Sequence, residues 1–531
     1  MSQIKGYVNF ILHAHLPFVF HPYDDTYLEE EWLFEAISET YIPLLKSFES
    51  LVNEGVDFRI TMSMTPPLLN MLDNKTLKKR YVRYLTKHIE LAEKEIERTK
   101  DNERINKLSH YYYERYKEDL RYYLEDANRG DIISHFKHFQ DIGKLEIITC
   151  GATHGYFPIL YINEKTVDAQ IAVGVQTYEH FFGRKPKGIW LPECGYVPEV
   201  DKLLKKHSIE YTIVETHGLL YADPLPVNAT YTPVVSPNGL IAFARDLESS
   251  RQVWSSISGY PGDFNYREFY RDIGYDAPYE YIKPYIASNG ARVNTGIKYH
   301  RITGKTEDKD IYDLQWAKDS VEMQAGDFYD CRTEQINHLS TFTTIPPIIT
   351  CPYDAELYGH WWYEGPYWLY ILFKKIHYNK SNFELITPSE YLEKYPNLQV
   401  STPARSSWGA NGYSEVWLNS SNDYAFKHFN ELGNRMIEIA NEYKDNTDPL
   451  IERVLNQCAR ELLMLQSSDW LFIITNQTMV DYAHQKIKEH TGRFNELYEQ
   501  LKKNKIKESY LEDIELKTPI FPYINFRVYA N

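Results

Sequence analysis

Apolar residues gather in seven short β-rich runs, each ending in polar, chemically capable side chains: Tyr7–His15, Phe58–Thr65, Leu145–His154, Gly188–Glu193, Glu210–His217, Leu240–Asp246 and Thr344–Asp354. Runs of this length, rich in Ile, Val and Phe, read as strands covered on both faces. Helical stretches lie between several of them, including Leu33–Asn53 and Ala169–Phe182. Strands alternating with helices predict a parallel sheet. Functional side chains at the C-terminal strand ends further predict a distorted seven-stranded (β/α)7 barrel with its site at that end. An open doubly wound sheet is the alternative.

Two regions interrupt the alternation. Residues 75–141 are charged and helix-like, as in HIELAEKEIERTKDNERINKL, and read as a helical insertion. Residues 264–337 form a long excursion between the sixth and seventh strands. After Pro403 the pattern turns amphipathic and helical over Tyr424–Tyr443, Pro449–Gln466, Gln477–Glu489 and Gly492–Lys503. The expected organisation is a catalytic barrel over residues 1–400 and a C-terminal helical domain over 401–531 that lends aromatic residues to the cleft.

Composition narrows the function. Lys plus Arg is 58 against 74 for Asp plus Glu, a formal charge of −16. Such a surface repels phosphate backbones, so a nucleic-acid partner is not expected. The five cysteines are widely spaced with no CxxC, which fits reduced thiols in the cytoplasm. No run of 18 apolar residues occurs, so no membrane span is expected, and the N-terminus reads as a first buried strand rather than a signal peptide. The aromatic content is high, with 45 Tyr, 24 Phe and 10 Trp. Most of these pack or face solvent, but some suit a cleft that stacks on sugar rings.

Four segments set polar groups in glycine-rich or aromatic surroundings: HAHLPF, GATHGYFP, WLPECGY and CPYDAELYGHWWYEGP. Glu193 ends the fourth strand and Asp354 the seventh. Carboxylates at buried strand ends cost free energy without a partner. Two of them facing one cleft are the minimum for glycoside chemistry: one attacks the anomeric carbon, the other protonates the leaving oxygen. Salt-bridged core acids are the structural alternative, and Glu215, Asp246, Glu356 and Glu364 compete for the role. Of His13 and His15, one is expected to reach the cleft and the other to face away. No two of the 18 histidines stand four or five residues apart, so helical metal-ligand spacing is missing. Trp32, Trp254, Trp361, Trp362, Trp408 and Trp417 mostly neighbour Gly, Ser, Asn or charged residues, unlike a core Trp.

These motifs, with VWSSISGYPGDFNYREFYRDIG, SSWGANGYSEVW and QSSDWLF, run over nearly the whole chain. Together they resemble glycoside hydrolase family 57, in its α-glucan branching enzyme subgroup. The resemblance implies a retaining enzyme on a (β/α)7 barrel that needs no metal or other cofactor and takes an α-glucan such as amylose or a glycogen-like polymer. It implies Glu193 as nucleophile and Asp354 as general acid/base, with the carboxyl groups about 5–5.5 Å apart. His13 and His154 then line the donor subsite, and Trp32, Trp408 and Trp417 hold the glucan. His15, Arg245, Trp254, Trp361 and Asp469 complete the substrate-binding set. In branching members a mobile loop bearing a tyrosine covers the cleft; here that stretch is Leu220–Leu240, with Tyr231 the candidate. An α-amylase-like hydrolase on the same site is the near alternative. A metal-dependent polysaccharide deacetylase, needing an Asp and two His around a metal, is the alternative from another class.

Overall fold

The computed structural model describes residues 4–23, 28–126, 130–255, 259–286, 290–379 and 381–531. Ser256, Ile257 and Ser258 of the VWSSISGYPGDF motif lie outside them.

Nine strands form one sheet among the described residues: β1 (Gly6–Ala14), β2 (Ile60–Met64), β3 (Leu145–Cys150), β4 (Gly188–Trp190), β5 (Tyr211–Val214), β6 (Val234–Val235), β7 (Ile241–Ala244), β8 (Ile348–Asp354) and β9 (Phe383–Leu385). Their order is β6-β7-β5-β4-β3-β2-β1-β8, with β9 also paired to β1. All pairs are parallel except β6 with β7. The seven expected runs supply the seven parallel strands of the main path, while β6 and β9 add to them. These two have two and three residues; β4 is as short as β9, but its run continues past the strand to the polar Glu193. Every residue of β1 is buried, as a strand covered on both faces requires.

The sheet curls strongly. Arg245, one residue past β7, makes a parallel bridge to Thr350 in β8, and Asp246 N–H donates to the Thr350 carbonyl at 2.9 Å. The two sides of the sheet therefore meet at one bridge rather than along a full ladder. This curvature turns the C-terminal ends of β1, β3, β4 and β8 toward a common centre.

The insertion is helical as expected, over Lys75–Arg98, Glu103–Arg121 and Ile132–Asp141. Asn74, Asn102 and Asp131 cap these helices through their side chains. The excursion holds short turns and then one long helix, Leu314–Leu339, capped by Asp313.

The C-terminal region consists of Tyr424–Glu442, Pro449–Leu465, Ser468–Asn476, Val480–Lys502 and Glu508–Lys517. Two helices expected around Gly492 are one. Glycine inside a helix costs about 1 kcal/mol. Here His490 anchors that turn through Nδ1 at 2.6 Å from the buried Glu461 carboxylate, and Phe494, Leu497 and Leu501 are buried beyond it. The helix Ser468–Asn476 went unpredicted because its sequence, SDWLFIITN, is too short and too uniformly apolar to show a period.

Candidate active site

A cavity of about 900 Å³ opens at the C-terminal ends of the strands. Glu193, Asp354, His13, His15, His154, Arg245, Trp32, Trp254, Trp361, Trp408 and Asp469 all line it. Eleven of the thirteen expected site residues thus converge, from segments hundreds of residues apart.

Glu193 follows β4 in a strained turn. Its φ is +62°, in the left-handed region that non-glycine residues avoid, and Cys194 follows at +50°. Such backbone is kept only where the surroundings enforce it. Trp408 does so from the C-terminal side of the chain: its backbone N–H donates to the Glu193 carbonyl at 3.1 Å, and its indole N–H donates to Glu193 Oε2 at 2.6 Å. Burial pushes the Glu193 carboxyl up to about 8, against the lowering effect of the Trp408 bond, with the Asp354 charge adding to the rise. Burial also lifts Asp354, to about 6, offset by the nearby His15 and Arg245. Two carboxyls that feel one another titrate as a pair. Between about 6 and about 8 the pair holds one proton, the state that general acid and nucleophile together require.

Removing the indole donor should therefore weaken the nucleophile. Trp408→Phe is expected to cost roughly 10- to 100-fold in kcat/KM, the scale of a hydrogen bond to a charged group, and to move the upper pH limb higher. A pH–rate series on a soluble maltooligosaccharide checks both.

The three histidines form one stacked array. His15 and His154 have ring centres 3.8 Å apart and planes within 15° of parallel. His13 stacks on Trp190 at 4.9 Å, and its Nε2 lies 3.0 Å from His154 Nε2. Both His13 and His15 line the cleft, which corrects the expectation that one faces away. Side chains two residues apart on a strand share a face. Burial, then the neighbouring His15, holds His13 and His154 well below the usual histidine range; for His154 the His13 ring lowers it further. His15 Nε2 instead meets the Asp469 carboxylate at 3.0 Å. Burial raises that carboxyl, but His15, with His154 and the Ser467 hydroxyl, together bring it down to about 2.

His15, His154 and Asp469 have the composition of a metal site. Each imidazole nitrogen is already engaged: His15 with Thr65 and Asp469, His154 with Ser468 and His13. Stacked rings direct their in-plane lone pairs side by side instead of toward one point. The donor set fits a hydrogen-bonded network better than a coordination sphere.

Two expected residues fall elsewhere. Trp417 is 1% exposed and stacks on Tyr156 at 4.4 Å, inside the packing between sheet and helices. Its flanking residues Val416 and Leu418 are apolar inside an otherwise polar loop, and the fold seals the ring. Trp417→Ala is expected to destabilise the protein by about 3–5 kcal/mol, the cost of emptying an aromatic core site, measured by urea unfolding. Tyr231 lies against a separate cavity beside Thr216, Asp246 and Arg251. Its segment is pinned by bridges Asp223–Thr402 and Val235–Val400, and its carbonyl accepts from Ile348 N–H at 2.8 Å.

The competing acids are sorted by their partners. Glu215 pairs with Arg245 at 3.1 Å. Asp246 caps the helix Leu247–Trp254. Glu364 accepts from the Tyr312 hydroxyl at 2.6 Å. Glu356 does reach the cleft, accepting from Tyr41 at 2.5 Å and from His15 N–H. Sequence reasoning missed Glu35, Tyr275, Asn294, His360, Phe472 and Met479 in the lining. Glu35 falls on an ordinary-looking acidic helix and Asn294 outside any motif, whereas His360 and Phe472 lie inside CPYDAELYGHWWYEGP and QSSDWLF, and Tyr275 directly follows VWSSISGYPGDFNYREFYRDIG.

This curled parallel sheet with two half-buried acids in an aromatic cleft defines a glycoside-active enzyme. The chain belongs to glycosyl hydrolase family 57, whose sequence model matches residues 9–346. A second model, described as 1,4-alpha-glucan branching enzyme, C-terminal, matches residues 428–529. The chain is 34% identical to the 1,4-alpha-glucan branching enzyme TK1436 of Thermococcus kodakarensis, over 96% of this chain and 77% of that protein. Among solved structures, the alpha-amylase AmyC from Thermotoga maritima superposes with a TM-score of 0.93 and 46% identity, covering 99% of each chain. The branching enzyme from Pyrococcus horikoshii gives 0.88 and 31%, covering 99% of this chain and 97% of that one.

Proposed function

We propose that the protein is a 1,4-α-glucan branching enzyme acting by double displacement. The observation that carries this is the pair Glu193 and Asp354, half-buried just beyond β4 and at the end of β8 and facing one aromatic cleft. Glu193 attacks the anomeric carbon of an α-1,4-linked glucan while Asp354 protonates the leaving oxygen. The glycosyl-enzyme is then taken by a glucose 6-hydroxyl, deprotonated by Asp354, to give an α-1,6 branch in a glycogen-like product. Positive charge developing at the anomeric carbon draws the Glu193 carboxyl into its ionised form, leaving the shared proton on Asp354. His13 and His154 line the donor side of the cleft, and Trp32, Trp254 and Trp408 stack on the chain. Residues 401–531 act as a helical domain that closes the site with Trp408 and Asp469. No described helix is long and apolar enough to cross a membrane, and the free thiols favour the cytoplasm.

Hydrolysis is the second reading. It is favoured by the position of Tyr231 away from the cleft, and by the 46% identity to a protein described as an α-amylase. A cleft without a covering tyrosine exposes the glycosyl-enzyme to water. Incubation with amylose decides: α-1,6 linkages without a matching rise in reducing ends support branching, and reducing ends alone reject it.

A further inference from the structure

We propose that the flank of the cleft formed by Glu35, Tyr275, Asn294, His360 and Trp361, with Phe269 behind it, is the subsite for the acceptor glucan chain. This rests on the glucan-transfer reading above.

The cleft has two aromatic flanks. One belongs to the nucleophile: Trp408 bonds Glu193, Trp254 meets Trp408 edge-on at 6.4 Å, and the Arg245 guanidinium lies 5.7 Å from the Trp408 ring centre. The other starts at Asp354. From there the chain runs through the turn Ala355–Leu357, and a bridge between Tyr358 and Trp362 holds the next turn. Trp361 tops that turn, 55% exposed. It stacks on Phe269, with ring centres 4.4 Å apart and planes 21° from parallel. An indole fixed by a parallel ring on one face, with His360 edge-on at 5.4 Å, and over half exposed offers an immobile apolar plane, which is what the C–H face of a sugar needs.

The surroundings hold this plane still. Gly359 (φ +113°) presses the turn so close to the helical wall that an added Cβ would sit 1.7 Å from the Glu39 carbonyl oxygen. His360 Nδ1 lies 3.0 Å from Glu39 Oε2, and buried Arg267 donates to Glu39 Oε1 at 2.8 Å. Polar groups stand beside the apolar plane. Glu35, 3.7 Å from His360 Nδ1, faces the cleft, and burial brings its carboxyl to about 7, so it can donate to or accept from a hydroxyl. Asn294 adds an amide with both functions.

The chemistry assigns this flank to the acceptor. In double displacement the acid/base first protonates the leaving sugar and later deprotonates the acceptor, so both pass through the place on its side of the scissile bond. The excursion at 264–337 thereby has a purpose: it brings Phe269, Tyr275 and Asn294 to that side.

The test uses the full-length protein and α-maltosyl fluoride, whose fluoride leaves without a sugar in the acceptor position. Transfer to added maltotriose is divided by fluoride release for each of Trp361→Ala, Phe269→Ala and Glu35→Gln. That ratio at fixed acceptor is expected to fall about tenfold in Trp361→Ala, the loss of one stacking contact. A smaller fall is expected in the other two variants, with the acceptor concentration for half-maximal transfer rising in all three. Ratios within twofold of the parent protein would overturn the assignment. If the parent transfers to no acceptor, the branching reading falls by itself. Calorimetry of maltotriose on Glu193→Gln, with and without Trp361→Ala, then decides the subsite: about tenfold weaker binding upholds it, and unchanged binding rejects it.

Discussion

Glu193→Gln is expected to lower turnover on α-1,4-glucan by roughly 10⁴-fold or more, the scale of losing the nucleophile in a covalent mechanism. The amide has the shape of the carboxylate, and its carbonyl oxygen can still accept the Trp408 indole N–H now 2.6 Å from Oε2. The strained backbone at φ +62° is untouched. The loss therefore reports chemistry rather than folding, and glucan affinity measured by calorimetry should persist. Initial rates on amylose and circular dichroism of the variant provide the check. Activity within tenfold of the parent would make Glu193 a structural acid and remove the basis of the proposed mechanism. A buried carboxyl with an activity-dependent proton also predicts a bell-shaped kcat/KM profile. Its limbs should fall near 6 and 8, where the Asp354–Glu193 pair takes up its second proton and loses its first.

The strand pattern carried most of this architecture, because buried parallel strands are written as continuous apolar runs and their functional ends as abrupt polar ones. Glu193, His154 and Asp354 were legible for that reason. What escaped was set by three-dimensional closure. Trp417 sits between Val416 and Leu418 in a loop otherwise of Ser, Glu and Asn, and another segment's Tyr156 covers its ring. Glu35 sits three residues after Trp32 on the helix Leu28–Ala36 and looks like any solvated helix acid until His360 and the excursion enclose it. Tyr231 was placed by analogy of position along the chain, and the pairing of its segment with residues 400 and 402 directs it elsewhere. His13 and His15 could have been read together, since a period of two puts them on one face.

Asp354→Asn separates the two halves of the reaction. Without a proton to give, departure of a sugar from amylose is expected to slow by about 10²- to 10⁴-fold, the range for general acid catalysis. Departure of fluoride from α-maltosyl fluoride, which needs little protonation, should slow far less. The pH dependence follows with a definite sign. In the parent, activity falls above about 8 because the pair has lost its last proton. In the variant no carboxylic acid is required, so the alkaline limb should vanish. The remaining acid limb should follow Glu193 alone and lie below about 8, because burial still raises that carboxyl while the added effect of the Asp354 charge is gone. The second step is then limiting wherever a base must deprotonate the acceptor. Azide needs no base: it attacks the anomeric carbon of the glycosyl-enzyme, frees the Glu193 carboxylate and yields an α-glycosyl azide. Rescue of fluoride turnover by azide in Asp354→Asn, with retention of configuration in the product, would identify Asp354 as the acid/base. A variant that azide does not accelerate and whose alkaline limb survives would assign the proton to another group, and Glu356, lifted to about 8 by burial within the same cleft, would be the next to replace.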